Sequence, residues 1–303
     1  MKRFYSNGKL LLTGEYVVLD GAKAFALPTK FGQDLSVSEG NSNQITWKSY
    51  DSDGSVWFDD VIRFDEISSD KASHEADSIR TTLTGILREA FKLNSTFVDS
   101  DGYHIETRLT FPKHWGLGTS STLINNIAQW LSVDAFTLLF NSFGGSGYDI
   151  ACAQNDTPII YRLTDGNVNV EKANFQPSFA DKLYFVYLNR KQSSKAAIAA
   201  YYNNRMEDLQ DNIKLIDRIT DKAIAAENAG MFARAIENHE SIMSDIVQMK
   251  TVKESFFPDF DGAIKSLGGW GGDFVLAVAH SDPTDYFKEK GFKTIIRYHD
   301  MVL

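Results

Sequence analysis

Pro112-Lys113-His114-Trp115-Gly116-Leu117-Gly118-Thr119-Ser120-Ser121 is the stretch that decides how this 303-residue chain is read. Two glycines one residue apart let the backbone bend through conformations closed to other residues, and three hydroxyl side chains follow at once. Downstream, Leu123, Ile124, Ile127, Ala128 and Leu131 recur at helical spacing. Upstream, residues 103–109 form a strand that Pro112 ends. Strand, glycine loop and helix in that order aim backbone N–H groups and the positive end of a helix dipole at one point, which is how phosphate is held. Taken alone, the segment reads first as a glycine turn with a serine N-cap, and context is needed to favour phosphate.

Working outward, short apolar runs at residues 10–12 and 16–19 flank Thr13-Gly14-Glu15 and predict an opening hairpin closed by Asp20-Gly21. Further strands are expected at 34–38, 44–48 and 55–58, and a helix over 74–93 from Ile79, Leu83, Ile86, Leu87, Ala90 and Phe91. A second glycine loop, Gly144-Gly145-Ser146-Gly147, precedes the small, apolar stretch 148–153. A hairpin is expected around Asp165-Gly166, and a strong buried strand at 183–188 begins a new pattern. The domain boundary is therefore placed near 171–182, giving an α+β chain with domains at 1–175 and 176–303. The second domain carries helical patterns over 195–228 and 231–249, a glycine cluster, and strands at 274–279 and 294–298.

Composition narrows the function classes. Apolar residues make up 43% and charged residues 23%, ordinary for a folded protein. Thirty-one Lys and Arg against forty Asp and Glu leave a net charge of −9, which argues against nucleic acid or an anionic membrane as partner. The single cysteine, Cys152, rules out an internal disulfide and a cysteine-based zinc site, and fits a reducing, cytoplasmic setting. The six histidines show no metal-ligand spacing, although His114 stands beside the glycine loop. The basic start is followed by apolar residues broken by Lys9, Glu15, Asp20 and Lys23, unlike a secretory leader, and no run is long enough to span a membrane. The expected partner is a small molecule, to a monomer or homodimer.

The segment at 112–121 resembles the phosphate-binding motif of the galactokinase, homoserine kinase, mevalonate kinase and phosphomevalonate kinase (GHMP) family. Pro112, Gly116, Leu117, Gly118 and Ser120 match position by position, Thr119 replaces a hydroxyl by a hydroxyl, and Ser121 stands where the family usually has Ala. Residues 8–19, Gly-Lys-Leu-Leu-Leu-Thr-Gly-Glu-Tyr-Val-Val-Leu, resemble its first motif. Residues 265–274, Lys-Ser-Leu-Gly-Gly-Trp-Gly-Gly-Asp-Phe, resemble its C-terminal glycine motif, with Trp270 interrupting the usual run. The string at 147–151, Gly-Tyr-Asp-Ile-Ala, matches a bacterial subgroup of the family.

That resemblance implies the two-domain GHMP kinase fold, a ribosomal-S5-like domain followed by a ferredoxin-like one, and an enzyme using ATP and Mg2+. It implies that Pro112, Trp115, Gly116, Leu117, Gly118, Thr119, Ser120 and Ser121 bind ATP, with Ser120 as the metal ligand. It implies Asp149 as general base and Lys9 as its electrostatic partner. Ordinary roles for these residues are a helix N-cap and a strand-edge lysine. Glu15, Tyr16, Ser146, Gly147, Gly271 and Gly272 are expected near the acceptor. So are Lys191, Ser193, Ser194 and Lys195, which follow the 183–188 strand as a basic, hydroxyl-rich helix start or, equally, an N-capped solvated turn. The family's magnesium-binding glutamate, about eleven residues before the base, has Leu138 in its place. Glu15-Tyr16, the Gly-Gly-Asp ending and the basic segment favour phosphomevalonate as substrate. Mevalonate is the near alternative, a sugar or another family substrate is more distant, and an inactive metabolite-binding relative stays open.

Overall fold

The computed structural model describes residues 1–69, 78–190, 201–202, 209–270 and 272–303. By packing, the chain falls into two units that interleave along the sequence, where the sequence reading placed one boundary. One unit comprises Met1–Gly8, Phe31–Lys113 and Leu117–Gln154, and the other Lys9–Lys30, His114–Gly116 and Asn155–Leu303. Interleaving follows from strand length: β1 (Lys2–Thr13) and β2 (Ala24–Glu39) run 12 and 16 residues, so each starts in one unit and ends in the other.

In the first unit the later half of β2 pairs antiparallel with β5 (Gly102–Leu109), Gln33 opposite Leu109. β5 lies parallel to β3 (Gln44–Tyr50), which pairs antiparallel with β4 (Val56–Arg63). Burial alternates along β3 and β5, the period-two signature of a sheet with one face on a core. That core joins Leu35, Trp47 and Ile105 of the sheet to Leu87, Ile127 and Leu138 of the helices. The helices of this unit are α1 (Phe64–Ser68), α2 (Ile79–Leu93), α3 (Thr119–Leu131), α4 (Ala135–Ser142) and α5 (Tyr148–Ala153). Helix α4 carries no strong periodic signal and escapes the sequence reading; Asp134 caps it by accepting from Thr137 N–H.

Helix α3 also buries polar residues. Ser6 donates to Asn126 Oδ1 at 2.8 Å and accepts from Asn125 Nδ2 at 2.8 Å, while Asn126 Nδ2 donates to the Gln33 carbonyl at 2.9 Å. Thr122 donates to Gln33 Oε1 at 2.8 Å. Satisfied buried polar groups fix a helix more uniquely than apolar contact does, because a rotation would leave them unpaired.

In the second unit the early half of β2 pairs with β6 (Ile159–Thr164), and β6 with β7 (Asn167–Lys172) through the expected turn, where Asp165 and Gly166 both take positive φ. A separate antiparallel sheet has the order β11-β8-β10-β9, built from β8 (Leu183–Tyr187), β9 (Gly262–Leu267), β10 (Phe274–Ala279) and β11 (Ile295–Arg297). Helices α6 (Leu209–Ile224) and α7 (Ala229–Val247) pack on each other, and α7 on β9. The fold is thus α+β. Among the described residues no helix is long and apolar enough to cross a membrane.

Two elements here differ from expectation. The opening hairpin does not form: residues 10–12 belong to the long β1, and Val17–Asp20 is a short 3-10 turn. Gly14 (φ 89°) and Tyr16 (φ 60°) reverse the chain there, and Val18 N–H closes on the Gly14 carbonyl at 3.0 Å. β9 was hidden because Lys265 and Ser266 break its apolar pattern. Both are buried: Lys265 pairs with Glu15, and with Glu240 at 2.9 Å, while Ser266 donates to Glu240 at 3.0 Å. Lys265→Met strands two carboxylates in the core, so it should lower stability by ~3–5 kcal/mol. Urea unfolding measures this, and a variant as stable as the wild type would show that the cluster holds nothing together.

Candidate active site

Glycine caps set two helices of the first unit apart. Ser78, Asp134 and Asn228 cap α2, α4 and α7 by accepting a backbone N–H from the first turn. Helix α3 instead begins behind Gly118 (φ 96°) and α5 behind Gly147 (φ 92°), and neither has a side-chain cap. Left-handed φ explains glycine at both positions. The leading N–H groups of a helix without a side-chain cap need acceptors from elsewhere, and with the helix dipole they suit an anion.

The surroundings hold α3 in place. Thr110 N–H donates to the Gly32 carbonyl at 3.0 Å and Lys113 N–H to Asp51 at 3.0 Å, anchoring the approach to the loop. Leu117 is fully buried, so it can serve a ligand only through its backbone. Ser121 donates to the Gly118 carbonyl at 2.9 Å, engaging its hydroxyl locally, and Ser120 sits in the same first turn. Helix α5 packs against α3, and Gln154 donates to Asn125 at 2.9 Å across that contact. Asp149 lies in the first turn of α5 and Ser146 is buried just before it. Within this unit the structure therefore puts the hydroxyl-bearing turn and the carboxylate expected to act as base on two packed, glycine-capped helices. Among the described residues no group of three or more His, Cys, Asp or Glu side chains is arranged so that it could hold a metal ion. A magnesium ion here would rest on the Ser120 hydroxyl and on phosphate oxygens, a donor set of the oxygen-rich, partly hydrated kind magnesium accepts.

The second unit holds a small cleft lined by Lys9, Trp115, Gly116, Gly268, Asp273 and Phe274 with Leu10, Leu11 and Leu267. Trp115 stands edge-on to Phe274 with ring centres 5.5 Å apart, and Tyr187 donates to the His114 carbonyl at 3.0 Å, so residues 114–116 are fixed on the start of β10. A β-carbon on Gly116 would fall 1.9 Å from Asp273 Oδ2, and one on Gly268 would fall 3.2 Å from it. Burial pushes the Asp273 carboxyl up from its ordinary range, and the Lys9 charge pulls it back.

Glu15 and Tyr16, expected at the acceptor, are engaged inside this unit. Glu15 is buried against Lys265, and burial pushes its carboxyl up to about 7 against the pull of that ammonium. His239 accepts from Gly14 N–H at 2.9 Å through Nε2, which places its own hydrogen on Nδ1; full burial holds it neutral. The Tyr16 hydroxyl accepts from Trp270 N–H at 3.1 Å and so ties the first motif to the glycine motif. Gly272 accepts from Arg190 N–H at 3.3 Å, and the Arg190 guanidinium stacks on Phe256 at 4.0 Å. Lys191, Ser193, Ser194, Lys195 and Gly271 lie outside the described residues. Asp273 and Lys265 lie within the glycine motif and carry no role by sequence; a carboxylate after Gly-Gly and a lysine inside an apolar strand are the signals that mark them.

No family model matches the chain, and no curated protein matches it in sequence. Solved structures match over nearly all its length. A Streptococcus pneumoniae phosphomevalonate kinase in complex with phosphomevalonate and AMPPNP superposes at TM-score 0.72 with 14% identity, covering 98% of this chain and 100% of that one. The Methanococcus jannaschii mevalonate kinase matches at 0.67 and 14%, covering 97% and 96%. A D-glycero-D-manno-heptose 1-phosphate kinase from Bacteriodes thetaiotaomicron matches at 0.67 and 16%, covering 99% and 95%. This is the GHMP kinase fold. The glycine-capped α3 follows the loop whose string, residues 112–121, resembles that family's phosphate-binding motif.

Gly116→Ala tests the cleft. The added methyl meets the Asp273 carboxylate and takes up a left-handed φ of 68°, so the variant should lose ~1–3 kcal/mol in chemical denaturation. Combining it with Asp273→Ala should restore part of the loss, because the two positions share one space. A Gly116→Ala protein of unchanged stability would show that the carboxylate does not lie there.

Proposed function

We propose that this chain is an ATP-dependent kinase of a small molecule. One observation carries the reading: α3, without a side-chain cap behind Gly118, packs against the helix that bears Asp149. Phosphoryl transfer asks a protein for little covalent chemistry and much positioning. The N–H groups opening α3 would bind phosphate oxygens, and the Ser120 hydroxyl would orient a magnesium ion on them. Magnesium, when bound, neutralises charge on the transferring group. Asp149 would accept the proton of an acceptor hydroxyl as the new P–O bond forms. Lys9 lines the cleft of the second unit, where its cation would offset negative charge on an anion bound in that cleft.

For the acceptor, we infer phosphomevalonate, with mevalonate as the near alternative. The Gly271-Gly272-Asp273 ending supports this by its resemblance to phosphomevalonate kinases, and the basic residues of 190–195 would suit a substrate that already carries phosphate. The Glu15-Tyr16 pair supports the same choice by resemblance, while both side chains also make contacts in the interior of the second unit. Small-molecule acceptors of both kinds occur among the proteins sharing this fold, and the sugar phosphate kinase among them keeps a sugar acceptor in the test.

The deciding measurement is ADP release with mevalonate, phosphomevalonate, diphosphomevalonate, galactose and homoserine in turn. Turnover is expected with phosphomevalonate; turnover with mevalonate alone moves the assignment to the alternative, and none with any acceptor removes the kinase reading for these substrates. Asp149→Asn should cut kcat by at least ~100-fold with the accepted substrate while ATP affinity stays within a few-fold. Unchanged turnover would take the base assignment away from Asp149.

A further inference from the structure

Asp273 is the feature of the cleft that phosphate binding by itself does not explain. Its carboxylate fills the space in which Gly116 and Gly268 lack a β-carbon, and both glycines hold positive φ, 68° and 79°. Its position is fixed at the backbone, where its carbonyl accepts from Leu188 N–H at 2.8 Å, and by Phe274, which meets Trp115 edge-on and Tyr187 at a tilt. Lys9 lines the same cleft and acts electrostatically on it. A carboxylate oxygen and a phosphoryl oxygen are alike in being anionic acceptors that need close, unhindered backbone and a nearby cation. Gly116 also belongs to the string whose glycines are otherwise explained by phosphate.

We propose that Asp273 is a built-in anion that holds the place of a phosphoryl oxygen beside Gly116 and Gly268 and balances Lys9 until a phosphate-bearing ligand displaces it. The residue is thereby a specificity determinant. It sets a threshold that a weakly charged anion does not cross, and a ligand gains the Lys9 charge only by supplying more negative charge than one carboxylate does. The identity of the displacing group as phosphoryl rests on the kinase reading; the placement of the carboxylate does not.

Asp273→Asn keeps shape and hydrogen-bonding capacity while removing the competing charge. Calorimetric titration of the full chain with ADP and with inorganic pyrophosphate, each with and without Mg2+, reads the effect. The variant is expected to bind both probes at least ~5-fold tighter than the wild type in the absence of Mg2+, since a like charge no longer opposes them. Adding Lys9→Met should remove most of that gain. Equal or weaker binding of both probes by Asp273→Asn overturns the proposal. So does a loss of affinity seen only with Mg2+, which would make Asp273 a metal ligand. If the wild type binds pyrophosphate but not ADP, the nucleotide reading fails, and the pyrophosphate comparison alone decides on Asp273. If neither protein binds either probe, the proposal falls. Asp273→Ser, with folding checked by circular dichroism, replaces the Asn variant if that one does not fold.

Discussion

A lysine ammonium with no water around it is the constraint on which the second unit depends. Lys265 is fully buried in the middle of β9, and the groups that satisfy it come from three places: Glu15 from the turn after β1, Glu240 from α7, and the Ser266 carbonyl at 2.6 Å from its own strand. Stripping water from an ammonium and two carboxylates is costly enough that such a cluster adds little net stability. Its effect is on uniqueness, because any other register of β9 would leave a charge in the core unpaired. Two carboxylates to one ammonium leave an excess of negative charge, and burial answers it by raising Glu15 toward the neutral form. The neutral His239 beside them adds no second cation.

Register then propagates to the cleft. Ile264 packs with Val186, Val275 and Ala277, so Lys265 must face the other side of the sheet, toward α7. Pairing of Lys265 with Leu276, and of Leu267 with Phe274, sets where β9 stops and β10 starts. Gly268 and Asp273 stand at those two ends. The same turn that supplies Glu15 supplies Tyr16, whose hydroxyl holds the Trp270 N–H. Residues expected near the acceptor thus also belong to the framework that places the glycine motif.

The parts of the fold that could be read from the sequence are those whose cause is local. Asp165-Gly166 names its own turn, the alternation in 103–109 names its own strand, and Gly118 followed by hydroxyls names a helix start. What escaped has partners far along the chain. Lys265 looks like a solvated lysine until Glu15 and Glu240 are beside it, and this hides β9. Asn125 and Asn126 interrupt an apolar helix face until Ser6 and Gln33 meet them. Long strands do the same to domain boundaries, since β1 and β2 carry the chain between units without any linker-like composition to mark the passage.

Gly116 and Gly118 show how one short string can encode two different requirements. Gly118 is glycine because the residue before α3 takes a left-handed conformation and no side chain caps the helix it opens. Gly116 takes a left-handed φ as well, but its missing β-carbon is space that Asp273 occupies. The first requirement is met within one helix turn and is visible to any reading of spacing. The second is met by a residue of the C-terminal motif, so the two glycine motifs constrain each other sterically inside one unit. A motif read as a phosphate cradle is therefore also a statement about a carboxylate, and in this chain both requirements sit in the same four letters, Trp115 to Gly118.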